Sequence, residues 1–251
     1  MKNNLPFYLL LIISPLLISF SNKADVIVYF LELPDGEATL VRNEHNQYSL
    51  INSGSEKSRD YLENKLAKLG VKEIEILIIT DQDPAYRDNK TWLMEMYNVK
   101  QVYDIKHTDQ LKKAVSSPLY EGMAISLSDS LKFHVLAIDD HQTSTTSLLT
   151  YVDHAILFIG RTNLTDDHLS FIENYRVEIV KVAHFGVEFQ PSHRFWHKIN
   201  PHAAIIFPLE GVSPDPLFIT YLDENWIDVY RLSDVGPVII RFKGSEYDLD
   251  V

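Results

Sequence analysis

Two short polar segments in this chain follow apolar runs of the kind that form strands buried on both faces. Residues 74–79 run into Thr80-Asp81-Gln82-Asp83-Pro84, and residues 177–182 run into Ala183-His184-Phe185-Gly186. Carboxylate, phenol and imidazole groups at strand ends are the raw material of acid–base chemistry, so Asp83, Tyr86 and His184 form one candidate set. His193 and His197 stand four apart, the spacing that puts two imidazoles on one helical face. Arg194 occupies the position where a zinc-peptidase helix needs glutamate, so a helix with Trp196 packed inward is the better reading. Asp139-Asp140-His141 reads as a solvated loop with one spare imidazole. Asp166-Asp167-His168 reads as an acidic first turn favoured by the helix dipole. Ser53 and Ser55 lie where helix capping explains their hydroxyls. No glycine-rich phosphate loop and no nucleophile elbow is present.

Composition removes several function classes. The chain has 251 residues, 45% of them hydrophobic, enough for one larger α/β domain with a core. Acidic residues number 35 against 23 basic ones, giving a net charge of −12 with no basic stripe. Holding nucleic acid requires lysine and arginine against phosphate, so the charge argues against nucleic acid as a partner. With no cysteine, disulfides, thiolate metal sites and a cysteine-linked lipid anchor are excluded.

The first residues read as an address. Lys2 precedes an apolar stretch from Leu5 to Phe20, short for a membrane span, and Ser19 and Ser21 are small residues suited to cleavage after Ser21. Residues 1–24 are therefore expected to be a signal peptide or an N-terminal membrane anchor, and residues 25–251 a single domain that is secreted or membrane-anchored and faces outside the cytoplasm.

Hydrophobic periodicity sets out the elements that must carry these groups. Strands are expected over 26–33, 38–42, 48–51, 74–79 and 99–105, with helices near 56–70 and 91–97. The second half expects strands at 130–137, 147–152, 155–160, 177–182, 203–207, 228–232 and 238–242. Helices fall at 164–174, 193–199 and 216–224, and Asp153-His154 supplies a tight turn. Strands first, then alternation, twice over, suits an α/β class αββα sandwich of two mixed sheets flanked by helices.

At the strand ends the chain resembles the metallo-β-lactamase superfamily, and within it the C-terminal metallo-β-lactamase-like domain of ComEC-type competence proteins. Phe30-Leu31-Glu32-Leu33-Pro34-Asp35-Gly36-Glu37-Ala38-Thr39-Leu40 parallels that family's "FLDVGQGDATLI", and Leu50-Ile51-Asn52-Ser53-Gly54 its "LIDTG". Thr80-Asp81-Gln82-Asp83-Pro84-Ala85-Tyr86 parallels "THxDxDH", Leu157-Phe158-Ile159-Gly160-Arg161 parallels "LLTGD", and Val182-Ala183-His184-Phe185-Gly186-Val187 parallels "VAHHGS". The resemblance implies a cluster of histidines and aspartates at strand ends that holds one or two divalent ions. The metal-bound water then acts as nucleophile.

Against that pattern the implied ligand set is largely replaced. Asp81 stands at the first histidine, Ala85 at the second aspartate, Tyr86 at the last histidine and Arg161 at the metal-bridging aspartate. Asp83 and His184 keep their types. A guanidinium about 4 Å from a dication would repel it by roughly 8 kcal/mol at an effective dielectric near 20. Arg161 is instead expected to pair with Asp81 and Asp83. Two readings follow. One is an exported, non-catalytic binding or assembly module, with no cofactor and no metal, whose degenerate pocket of Asp81, Asp83, Tyr86, Arg161 and His184 takes a protein or a small anionic ligand. The other is a divergent phosphoesterase- or nuclease-type hydrolase that holds zinc or manganese through Asp81, Asp83 and His184, with His141 as a further donor.

Overall fold

The computed structural model describes residues 24–105, 115–187 and 191–251. The expected leader lies almost wholly outside these residues. No helix among them is long and apolar enough to cross a membrane.

The first half runs β1 (Val26–Phe30), β2 (Thr39–Arg42), β3 (Tyr48–Ile51), α1 (Arg59–Lys68), β4 (Ile76–Ile79), α2 (Pro84–Arg87), α3 (Lys90–Met96), β5 (Gln101–Asp104) and β6 (Val115–Pro118). The second runs β7 (Ala124–Ser126), β8 (Leu131–Ile138), β9 (Thr145–Tyr151), β10 (His154–Phe158), α4 (Asp166–Ile172), β11 (Arg176–Lys181), α5 (His193–Ile199), β12 (Ala203–Ile206), α6 (Pro216–Glu224), β13 (Asp228–Arg231), α7 (Leu232–Val235), β14 (Val238–Lys243) and β15 (Glu246–Asp250). One sheet has the order β15-β14-β1-β2-β3-β4-β5-β6, the other β13-β12-β11-β10-β9-β8-β7. Both are mixed. β3 to β6 are parallel in the first, and β10 to β13 are parallel in the second.

Alternating strand residues fill three layers. Between the sheets lie Phe30, Phe133, Phe158, Phe207 and Ile240. Outside the second sheet, Trp196, Phe218 and Leu222 of α5 and α6 cover Leu157, Val180 and Ala204. Outside the first, Leu62, Leu66 and Leu93 of α1 and α3 cover Leu50 and Leu77. Strands buried on both faces read as nearly continuous apolar runs, which is why β4, β10 and β12 stand out in the sequence. The αββα sandwich is as expected.

The differences lie at edges and turns. β6, β7 and β15 were not foreseen. All three are edge strands that water reaches, and none carries a run of buried apolar residues, so they lack the apolar signal. The turn between β9 and β10 is Val152-Asp153, with Val152 at φ 55°. His154 is the buried first residue of β10, its Nδ1 2.9 Å from Glu178 Oε1.

Candidate functional site

The ends of β4, β9, β10 and β11 meet at one mouth because backbone hydrogen bonds stitch the two sheets together there. Gln82 N donates to Thr143 O at 2.8 Å, Thr145 N to Thr80 O at 2.9 Å, and Asp81 bridges Ser144. Two glycines permit the approach. A Cβ on Gly160 would stand 2.1 Å from Thr145 O and 2.7 Å from Ser144 Oγ, so only glycine lets the chain after β10 press against β9. Arg161 N then donates to Ser144 Oγ at 3.0 Å, which fixes where its side chain starts. A Cβ on Gly36, at φ 96°, would stand 2.2 Å from Ala85 O, and this contact sets the position of Glu37.

Two acids at the mouth are each held by a side-chain cation. Asp81, buried to 5%, accepts Arg161 Nη2 on Oδ1 at 2.8 Å, while Arg161 itself remains 37% exposed. The second pair was not singled out from the sequence. Glu37 and Lys181 are both buried and sit 2.9 Å apart, Oε2 to Nζ. Lys181 also donates to Ile159 O at 3.1 Å and lies 5.5 Å from the Tyr86 ring centroid. The other Glu37 oxygen accepts Asn52 Nδ2 at 2.7 Å, and Asn52 Oδ1 takes both Thr80 N and Thr80 Oγ1. Burial holds the Glu37 carboxyl above its usual range, and the Lys181 ammonium and the Asn52 amide offset that rise only in part. A lysine at the buried end of a core strand is the signal that could have revealed this pair, since a buried charge needs a partner.

The expected five residues divide as follows. Arg161 pairs with Asp81 alone. Asp83 caps a helix instead: its Oδ1 accepts Ala85 N at 2.9 Å at the start of α2, and its own N–H donates to Asp81 Oδ1 at 2.8 Å. Pro84 at the first helical position explains why the polar turn becomes a helix here. Tyr86 is buried against Phe185, ring centroids 5.4 Å apart. Burial first, then the fields of Glu37, Asp81 and Asp83, push its phenol well above 10.0, and Arg161 opposes them. No side-chain hydrogen bond joins Asp83, Tyr86 and His184, so the acid–base set does not assemble. His184 and Phe185 both adopt left-handed backbone, φ 43° and φ 56°, and Gly186 follows at φ 75°. His184 Nδ1 is buried without a hydrogen-bond partner among the described residues.

The other candidates have structural employment. Asp139 accepts hydrogen bonds from the N–H groups of His141, Thr143 and Ser144 and from Thr143 Oγ1. Burial would raise its carboxyl, but these donors outweigh it and hold it low. His141 is exposed. In α5, His193 and His197 face outward while Trp196 is buried. His168 closes a capping box with Thr165 at the start of α4.

The resemblance implies zinc or manganese, but the donors do not fit a metal centre. Asp81 is committed to Arg161 and to a backbone amide, and Asp83 to a helix cap. Among the described residues no three His, Asp or Glu side chains gather in a group able to hold an ion.

No family model matches the chain, and no curated protein matches it. Solved structures do match. The metallo-β-lactamase fold protein YhfI from Bacillus subtilis has a TM-score of 0.64 at 9% identity, over 87% of this chain and 100% of that one. Igni18, described as a novel metallo hydrolase from Ignicoccus hospitalis KIN4/I, has a TM-score of 0.59 at 14% identity, over 90% and 99%. A diphosphatase of the PhnP family has a TM-score of 0.59 at 11% identity, over 83% and 84%. At such identities the likeness is one of fold. This chain has the metallo-β-lactamase fold.

Proposed function

We propose that this chain is a ComEC-like branch of the metallo-β-lactamase fold whose metal site has been rebuilt around side-chain cations, and that it works as a binding or assembly module without metal catalysis. The observation that carries this reading is the Asp81–Arg161 contact of 2.8 Å. The guanidinium neutralises a carboxylate that a metal would need and places fixed positive charge at the mouth. The buried Glu37–Lys181 pair repeats the arrangement one layer deeper. The exposed Arg161 guanidinium suits a small anion or a peptide carboxylate. The Lys2 and Leu5–Phe20 segment supports export to the outer face of a membrane.

One observation favours the rival, a divergent metal-dependent hydrolase. The buried His184 Nδ1 has no hydrogen-bond partner among the described residues, and strained backbone of this kind clusters at functional sites. Metal analysis of protein purified without chelator separates the two. The binding reading expects well under one zinc, manganese or iron per chain. Near-stoichiometric metal that disappears in Asp83→Ala or His184→Ala would establish the rival.

A further inference from the structure

Helix α6 ends in a way that folding alone does not explain. Trp226 N donates to Asp223 O, and Ile227 N donates to Leu222 O. This is the paired reverse bonding that closes a helix through a left-handed residue, a position usually held by glycine. Here it is Trp226, at φ 60° and 92% exposed. A bulky residue is strained in that conformation, and this indole buries almost nothing in exchange.

Trp226 stands at one end of a groove. A hollow of about 720 Å³ is walled by Trp226, Asp223, Glu224, Asp228 and Val229, and a second of about 670 Å³ by Phe185, Leu209, Val212 and Arg231. Both have Ile219 and Thr220 in their walls, so they adjoin between α6 and β13. Strand β13 ends its sheet, paired with β12 on one side only. Asp228 N donates inward to His202 O. Strand alternation therefore leaves the backbone N–H and C=O groups of Val229 and Arg231 on the outer side. At the far end Arg231 pairs with Asp234, while Asp223, Glu224 and Asp228 have no cationic partner among the described residues.

We propose that this groove is a docking site for an extended, basic peptide segment of another protein, which adds as a strand to β13 with a lysine or arginine on the Trp226 indole. Main-chain bonds to an open sheet edge and side-chain pockets beside it are the elements of such recognition. An exposed indole among carboxylates suits a cation on both quadrupole and charge grounds. Charge also selects against a second copy of this chain. Its net charge is −12, and edge-to-edge pairing would set the same three acids against each other.

The test uses the full chain and a fluorescein-labelled peptide of three Lys-Val repeats, followed by anisotropy. Two controls are the Glu-Val counterpart and a Lys-Val peptide N-methylated at every residue, which keeps the side-chain charge but has no backbone N–H to donate along either edge. The proposal expects each control to bind at least about tenfold more weakly, a difference of ~1.4 kcal/mol. Trp226→Gly separates binding from folding. Glycine suits the helix stop, so this variant should melt at or above the parent temperature yet lose about tenfold in affinity for the Lys-Val peptide. Equal binding of the N-methylated peptide, or unchanged affinity in Trp226→Gly, would overturn the proposal. So would self-association that protects Trp226 from solvent.

Discussion

At the residue scale, charge at the mouth is balanced pair by pair. Arg161→Ala would leave Asp81, buried to 5%, without its counter-ion. Breaking a fully buried pair costs about 3–5 kcal/mol, but Arg161 is over a third exposed, so a loss of about 1–3 kcal/mol is expected in urea unfolding. Adding Asp81→Asn should recover part of that loss, whereas Asp83→Asn should recover none, because Asp83 caps α2. Tyr86 gives a pH dependence. Its phenol titrates well above 10.0 in the folded chain, so the folded state keeps a proton that the unfolded state sheds. The contribution to stability is full below about pH 10 and is lost as pH rises toward the folded value. Tyr86→Phe should therefore reduce the fall of stability between pH 10 and 11 by about 1 kcal/mol, read from urea melts, because the unfolded phenol is about half ionised at the start of that interval and nearly fully at its end. Asp81, Tyr86 and Arg161 were legible in the sequence through the motifs they interrupt. For Glu37 and Lys181 the sequence carries only half of the signal: a lysine in a strand of the core asks for a partner, but nothing names Glu37 as that partner until the fold brings the two together.

At the element scale, the site depends on how closely strand ends approach. Gly160 touches the backbone of β9, so Gly160→Ala must push the Arg161 segment away from Ser144. Overpacking of this kind typically costs about 1–3 kcal/mol. A calorimetric melt should show a clear loss, with added loss from Arg161→Ala smaller than in the parent, since the ion pair is already displaced. An unchanged melt would mean that the strand ends are not locked there. The central strands could be read from the sequence because burial on both faces makes them apolar throughout. The edge strands β6, β7 and β15 could not, because water reaches them and their residues need only fit a pleat. Helix α2 was hidden in a stretch that reads as a turn. Asp83 followed by Pro84 is a turn signal and equally a cap with proline at the first helical position, and only the buried Tyr86 decides between them.

At the scale of the whole molecule, the fold brings four strand ends from two sheets to one mouth, the place where a hydrolase of this architecture would hold its ions. The same fold therefore serves both readings, and the difference rests on a few charges. Thermal unfolding with and without added metal measures that difference directly. An ion that binds only the folded state raises the melting temperature, by an amount equivalent to about 2.7 kcal/mol when its concentration is a hundred times its dissociation constant. The account predicts that zinc or manganese at about 100 µM leaves the parent chain's melting temperature unchanged. Arg161→Asp, which replaces the cation with a third acid at the mouth, should melt lower than the parent without metal and regain stability when metal is added. A parent chain that zinc or manganese stabilises, with the effect abolished by Asp83→Ala, would contradict it.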